Sequence, residues 1–270
     1  MTDNGLQRRN AAYRLAALDQ DFILGDSTRG VRFLLEYAKA EELLRAWGVV
    51  STVVVFGSSR MLPGKSGDPA AAPPSPDAML RQADRAARWY DQARRFARIV
   101  SERGGALEAR KGGRHNVIAT GGGGGIMEAA NRGAADAGAP SIGFNIRLPT
   151  EQQPNAYTTP DLTFQFHYFA MRKMHLAMRA AALVAFPGGF GTLDELFEML
   201  TLTQTRKAPP VPIVCFDRRY WTKLINFDAL IEEGMITPAD LKLFSFADDA
   251  EEAWEVLIAH GLKTDRPPED

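Results

Sequence analysis

The sequence predicts an α/β protein built on a doubly wound, mostly parallel sheet of about seven strands, preceded by an N-terminal helical extension. Short apolar runs rich in β-branched residues alternate with segments of helical periodicity, which is the pattern of βαβ crossovers. The runs contain few polar residues, as expected for strands that helices cover on both faces. Three of the runs end in glycine-bearing turns, the positions at which such sheets commonly hold ligands.

The order of the predicted elements is Rossmann-like. Strands are predicted at residues 51–56, 117–119, 141–146, 162–166, 182–186, 212–216 and 244–246. Helices are predicted at residues 6–47, 75–101, 126–137, through 171–178, after 189 to about 205, at 220–233 and at 250–260, with N-caps at Asp26-Ser27-Thr28 and at Ser75.

These elements divide the chain into a helical extension at residues 1–47, a Rossmann-like domain at 48–262 and a flexible tail at 263–270. The Pro- and Gly-rich stretch at 61–74 is predicted to be an exposed loop.

The composition is that of an ordinary globular protein. Of 270 residues, 45% are hydrophobic and 24% charged, and the formal net charge is −1, so bulk electrostatics favour neither nucleic acid nor an acidic membrane as a partner. Cys215 is the sole cysteine, which excludes a disulfide within the chain. His167 and His175 are isolated, and we predict no metal and no cofactor. The start lacks the apolar core of a signal peptide, and no apolar run reaches the roughly 20 residues of a membrane span. We therefore expect a cytoplasmic protein.

The three glycine turns are Gly57-Ser58-Ser59, residues 121–125 and Gly188-Gly189-Phe190-Gly191. Two of them lead directly into helices, whose N-terminal N–H groups favour an anion, most often phosphate. A dinucleotide fingerprint is excluded because its third glycine would fall on Ile126 in one loop and on Asp194 in the other. No stretch has P-loop spacing either. A mononucleotide or another single phosphate fits better, and a tight turn without a ligand is the alternative for any one loop.

The run Pro187-Gly188-Gly189-Phe190-Gly191-Thr192-Leu193-Asp194-Glu195 resembles the PGGxGTxxE signature of the LOG (LONELY GUY) family. Members of this family are nucleoside 5'-monophosphate phosphoribohydrolases, and such sequences have also been labelled possible lysine decarboxylases. The glycine loop and helix start at 120–134, the pair Arg172-Lys173 and the turn at 56–60 are similar to the family's corresponding segments. The likeness spans about residues 50–235. No residue pattern supports pyridoxal phosphate.

The resemblance implies a reaction and a set of site residues. The reaction is hydrolysis of the N-glycosidic bond of a purine nucleoside 5'-monophosphate, AMP-like or a cytokinin riboside monophosphate, to the free base and ribose 5-phosphate. Glu195 and Arg172 would be catalytic, and the protein would be a homodimer. The implied substrate- and phosphate-binding residues are Gly57, Ser58, Ser59, Gly121, Gly122, Gly123, Gly124, Lys173, Gly188, Gly189, Phe190, Gly191 and Thr192. The long extension, the insert at 61–74 and Gly124, where many longer relatives have proline, leave the preferred base open.

Elementary chemistry is consistent with these roles and also allows others. Cleavage of an N-glycosidic bond leaves an oxocarbenium-like sugar, which a carboxylate stabilises, and a cation offsets the negative charge on the departing base. However, Thr192-x-x-Glu195 also fits a capping box, in which the glutamate only satisfies a backbone N–H. Arg172-Lys173 also fits a solvated helix face. The same pocket would suit a carrier of a phosphorylated ligand, such as a molybdenum-cofactor carrier, or a sensor of a nucleotide.

Overall fold

The computed structural model of the protein describes residues 3–61, 76–109, 112–149 and 153–264. The strands within these residues are β1 (Thr52–Phe56), β2 (Val117–Thr120), β3 (Ser141–Ile146), β4 (Thr163–Phe166), β5 (Ala180–Ala185), β6 (Ile213–Phe216) and β7 (Ser245–Ala247). They form one sheet in the order β4-β3-β2-β1-β5-β6-β7, and every neighbouring pair is parallel. The predicted doubly wound α/β fold is confirmed.

The direction in which the chain builds the sheet reverses at β1. This strand pairs with β2 on one side and with β5 on the other, so that Val53 aligns with both Ile118 and Ala182. The first half of the chain extends the sheet outwards to β4, and the second half begins again beside β1. A crevice is expected at the carboxyl ends of β1 and β5, because the connections that follow them leave on opposite faces.

Helices cover both faces of the sheet. They are α1 (Gly5–Arg9), α2 (Gln20–Leu24), α3 (Arg29–Ala46), α4 (Pro76–Arg103), α5 (Ile126–Asp136), α6 (Phe169–Met178), α7 (Phe190–Gln204), α8 (Arg218–Leu224), α9 (Phe227–Glu232) and α10 (Ala250–Ala259). Successive strand residues point to opposite faces, and accordingly Val53 and Val55 pack with α4, α5 and α10, while Val54 and Phe56 pack with α3, α6 and α7. Among the described residues, no helix is both long and apolar enough to cross a bilayer.

The helical character predicted for residues 6–47 is confirmed, but it is divided among three α-helices. Short 3-10 turns separate α1, α2 and α3, and none of the described residues up to Leu24 is buried. The side chains of Asn10 and Asp19 accept hydrogen bonds from the N–H groups of Ala12 and Phe22, and such local bonds compete with a continuous helix. The predicted cap at 26–28 does precede α3, but without a side-chain capping bond.

A buried ion pair connects helix α3 to the rest of the domain. Glu41, which is 8% exposed, accepts hydrogen bonds from both terminal nitrogens of Arg179 at 2.9 and 2.7 Å, and another from Arg45 at 2.8 Å. The hydrogen bond from Arg179 is the main cause of a lowered pKa at Glu41. Because Arg179 lies between α6 and β5, this pair connects α3 to the centre of the sheet.

The predicted helix at 220–233 is wrong, since it is two helices, α8 and α9, that break at Ile225 and Asn226. The Asn226 side chain accepts from the N–H of Ala229 at 3.1 Å and so starts a new helix. The predicted loop beyond Met61, the Ser75 cap and the tail from residue 265 lie outside the described residues. The predicted domain limits stay predictions.

Candidate functional site

A cleft of about 740 Å³ lies at the carboxyl ends of β1 and β5. The residues of its lining that matter below are Gly57, Ser58, Ser59, Trp89, Arg172, Gly188, Gly189, Phe190, Gly191, Thr192, Glu195 and Tyr220. The cleft thus brings together both predicted catalytic residues and two of the three glycine turns. Lys173 and the loop residues Gly121, Gly122, Gly123 and Gly124 are described by the structure but do not line it.

The loop after β5 presents free backbone donors to the cleft. Helix α7 begins at Phe190 with Gly189 as its N-cap, and the Gly189 carbonyl accepts from the N–H groups of Thr192 and Leu193, both at 3.0 Å. The N–H groups of Gly189, Phe190 and Gly191 donate to no group in the described part of the chain. The Phe190 side chain is 92% exposed, so this residue contributes its backbone N–H to the loop and not its side chain. Such free N–H groups at a helix start favour an anion.

The turn after β1 is hydrogen-bonded to this loop. The N–H of Ser58 donates to the Pro187 carbonyl at 3.0 Å, and the Ser58 carbonyl accepts from the N–H of Ile126 at 3.1 Å. Gly57 is a necessary glycine, because a Cβ there would overlap the Ile126 side chain. The Ser58 amide is therefore already engaged within the protein, and the Ser58 hydroxyl accepts from the Arg60 N–H at 3.1 Å.

The first glycine loop lies behind the cleft and supports it. A Cβ on Gly121 would overlap the Arg172 guanidinium, so this glycine gives the arginine its space. Gly122 has a φ of +73°, a conformation that favours glycine, and its carbonyl and that of Gly123 accept from the Asn155 side chain at 3.2 and 3.0 Å. The loop lies against Arg172, and its predicted phosphate contact stays a prediction.

Glu195 lies on α7 and is 5% exposed. Burial raises the pKa of its carboxyl to about 7, against the opposing effect of the positive charges of Arg172 and Lys173. The capping-box alternative is wrong, because the N-cap of α7 is Gly189 and the Thr192 N–H bonds to the Gly189 carbonyl. A buried carboxyl that lines a cleft and has a strongly shifted pKa is typical of a functional site.

Arg172 projects from α6 into the same cleft. Its Nε donates to the Phe144 carbonyl at 2.8 Å, which leaves the remaining nitrogens available. Burial lowers the pKa of Arg172, while the charges of Glu195 and Asp194 oppose that change. The alternative of a solvated helix face is therefore wrong for Arg172. Within the described structure it forms no direct ion pair with Glu195, so the two opposite charges face a shared space.

The start of α6 is anchored by the extension. The Glu36 carboxylate accepts from the N–H groups of His167 and Tyr168 at 2.7 and 3.3 Å, just before the helix begins. Arg32 donates to the Tyr168 hydroxyl at 2.9 Å. These contacts fix the helix that carries Arg172, and a carboxylate is favourable at a helix N-terminus.

Lys173 does not line the cleft but is paired with Asp194, which does. Its ammonium bonds to Asp194 at 2.9 Å and to Glu198 at 3.1 Å. Burial works against the charged form, but these hydrogen bonds outweigh it and raise the pKa of Lys173. Its charge is already neutralised, and its predicted contact with phosphate stays a prediction.

Two cleft residues, Trp89 and Tyr220, were not predicted as part of the site. The Tyr220 hydroxyl donates to the Gly188 carbonyl at 2.6 Å, and the two rings meet edge to face with centroids 5.8 Å apart. Neither residue belongs to a motif, and each lies far along the chain from Gly188, so the sequence held no signal for them. Among the described residues, no group of three or more His, Cys, Asp or Glu side chains is placed to hold a metal.

Comparison with known proteins finds similarity to one family over about half of the chain. The family model described as "Possible lysine decarboxylase" matches residues 127–257, which include Arg172 and Glu195. The chain is 31% identical over 140 residues to the rice protein "Probable cytokinin riboside 5'-monophosphate phosphoribohydrolase LOG4" (Oryza sativa subsp. japonica), covering 51% of this chain and 60% of that protein. It is 38% identical over 84 residues to "Cytokinin riboside 5'-monophosphate phosphoribohydrolase LOG7" of Arabidopsis thaliana, covering 30% of this chain and 38% of that protein. The matched part therefore spans less than two thirds of either relative.

Solved structures include more distant likenesses. The molybdenum cofactor binding protein from the phototrophic bacterium Rippkaea orientalis is 18% identical with a TM-score of 0.47, covering 78% of this chain and 98% of that protein. The Moco carrier protein from Chlamydomonas reinhardtii is 19% identical with a TM-score of 0.44, again covering 78% of this chain and 98% of that protein.

The fold and the cleft define a doubly wound α/β protein with a loop of free backbone N–H groups at its topological switch point. The sequence matches are consistent with the resemblance noted from the glycine motif: the chain is similar to LOG-family proteins over the part that includes Arg172 and Glu195.

Proposed function

We propose that the protein hydrolyses the N-glycosidic bond of a purine nucleoside 5'-monophosphate, releasing the free base and ribose 5-phosphate. The observation that carries this proposal is the convergence of Glu195 and Arg172, from different helices, on the cleft that holds the free N–H groups of the loop after β5. The LOG-named relatives support a phosphoribohydrolase activity. That the protein acts as a homodimer in the cytoplasm is part of the same proposal.

The first step is to anchor the 5'-phosphate. The N–H groups of Gly189, Phe190 and Gly191 have no acceptor in the described part of the chain, and the helix start adds partial positive charge. Glu195 follows one turn later on the same helix. A phosphate held at this helix start brings the ribose towards the Glu195 carboxyl, and such positioning of the reacting groups is itself a large part of catalysis.

The second step is cleavage. A pKa near 7 for Glu195 leaves a large share of the carboxyl ionised at neutral pH, and the carboxylate stabilises the positive charge that develops on the sugar. It also accepts the proton of the water that attacks C1'. The electrons of the broken C–N bond pass to the base nitrogen, which takes up a proton. The hydroxyl group of the water thus ends on C1' of ribose 5-phosphate and a proton ends on the free base. The Arg172 guanidinium offsets the transient negative charge of the base.

The test is to incubate the protein with AMP, GMP, CMP and IMP and to measure free base by chromatography. We expect base from at least one purine nucleotide, and a loss of about 10²-fold or more for Glu195→Gln, in line with the usual contribution of a general base. Glu102→Gln is the matched control, because Glu102 pairs with Arg98 on α4 at 2.7 Å and does not line the cleft. If the wild type binds the nucleotides but releases no base, the protein is a carrier and the proposal fails. Full activity in Glu195→Gln would remove Glu195 from the mechanism.

A further inference from the structure

The Tyr220 hydroxyl donates to the Gly188 carbonyl at 2.6 Å. We propose that Tyr220 is a positioning residue, which sets the orientation of the peptide between Gly188 and Gly189 and thereby aims the Gly189 N–H at the phosphate of the ligand. This inference rests on the proposed function, since it concerns how the same loop binds its anion. Tyr220 would not react with the substrate but act through the loop.

The orientation follows from peptide geometry. A trans peptide is planar, so its carbonyl and its N–H point in opposite directions. A hydrogen bond that fixes the Gly188 carbonyl towards Tyr220 therefore fixes the Gly189 N–H on the other side. The Pro187 carbonyl is held in the same way by the Ser58 N–H at 3.0 Å. Both peptides that flank Gly188 are thus fixed from outside the loop.

The loop needs this external restraint because of its composition. Glycine has far more accessible backbone conformations than other residues, and side chains added at Gly189 or Gly191 would meet open space. Packing of the loop's own side chains therefore cannot fix these peptides. A hydrogen bond received by the carbonyl also polarises the peptide and strengthens its N–H as a donor.

Tyr220 is itself held in place by a residue at the end of β6. Asp217, which has a φ of +69°, accepts from the Tyr220 N–H at 3.0 Å through one carboxylate oxygen and from the Trp89 indole at 2.8 Å through the other. The Trp89 ring then packs edge to face against the Tyr220 ring. Burial raises the pKa of Tyr220, so the hydroxyl keeps the proton that it donates at neutral pH.

The experiment compares Tyr220→Phe with Tyr90→Phe. Each variant loses one hydroxyl that donates a hydrogen bond, since Tyr90 is buried and donates to Glu128 at 2.9 Å and also interacts with Arg132, but Tyr90 does not line the cleft. Ribose 5-phosphate and AMP binding is measured by calorimetry, together with KM and kcat for base release. We expect Tyr220→Phe to weaken binding of both ligands and raise KM by about tenfold, the usual size for one hydrogen bond to a charged group, with kcat within about twofold. Tyr90→Phe should match the wild type in all of these.

The outcomes separate the two proposals. Tenfold weaker binding in Tyr220→Phe supports the positioning role even if no base is released. Unchanged binding and KM overturn it, even if the wild type hydrolyses AMP. An equal loss in both variants, or a loss confined to kcat, overturns it too. If the wild type binds neither ribose 5-phosphate nor AMP, the loop is not a phosphate site and the inference falls. Far-ultraviolet circular dichroism and thermal unfolding check that both variants are folded, and a Tyr220→Phe chain that does not fold shows that the hydroxyl serves folding instead.

Discussion

Replacement of Glu195 by glutamine should stabilise the protein at alkaline pH. The pKa of this carboxyl is raised from its ordinary value of 4.5 to about 7, because ionisation within the cleft wall is unfavourable. Between these two values the folded protein holds the proton and the unfolded chain releases it. Stability contributed by the neutral form is therefore present below pH 4.5 and is lost as the pH rises through about 7.

The size of the effect follows from the same two values. A difference of about 2.5 pH units corresponds to about 3.5 kcal/mol, at roughly 1.4 kcal/mol per unit. Glutamine has nearly the same shape and cannot ionise. Relative to the wild type, we expect Glu195→Gln to raise the free energy of unfolding by about 1 kcal/mol near pH ~5 and by about 3 kcal/mol near pH ~8.

The assay is urea unfolding of both proteins at several pH values across this interval, with the difference in free energy plotted against pH. Glu102→Gln, on the exposed face of α4, should give a flat and small difference. A difference for Glu195→Gln that does not grow with pH would refute the reasoning, since it would mean that the carboxyl titrates at its ordinary pKa. The measurement does not depend on whether the protein is an enzyme.

Two further predictions concern the loop and the core. Gly188→Ala places a Cβ in overlap with the Thr192 side chain, so its free energy of unfolding should be lower by about 1–3 kcal/mol. In Gly191→Ala the Cβ meets open space, and the free energy of unfolding should not fall. Equal losses in the two variants would contradict the overlap. Glu41→Gln leaves the buried Arg179 charge without its partner and should lower the free energy of unfolding by about 3–5 kcal/mol. Replacing both residues by methionine should recover most of that loss. A double variant no more stable than the single one would argue against an unpaired charge as the cause.

The fold was predictable because its determinants are local. The strand that contains Val53 is an apolar run that ends at a glycine turn, and such runs alternate with helical segments along most of the chain. The breaks in the helices were not predictable from periodicity, because a single side-chain hydrogen bond decides them. At Asn226 the side chain captures the N–H of Ala229, and at Asp19 that of Phe22. An asparagine or aspartate within a helical pattern is compatible with either outcome.

The site was predictable where glycines and the family motif mark it, but its internal contacts were not. Lys173 follows Arg172 in the sequence, yet it bonds to Asp194, which lies 21 residues away, instead of joining the cleft lining. Tyr220 lies 32 residues beyond Gly188. Such pairings are set by how α6, α7 and α8 pack around the sheet, and nothing in the local sequence specifies them.

The reversal of strand order at β1 has a consequence for how the protein acquires its ligand site during folding. The cleft exists only after β1 has paired with β5, which aligns Val53 with Ala182, a contact between distant parts of the chain. Contacts of this kind form slowly, because a long loop must close first. A folding intermediate in which only one half of the sheet is assembled has one wall of the cleft and binds nothing there. Ligand present during refolding should therefore leave the folding rate unchanged and slow only unfolding, since it stabilises the completed sheet alone.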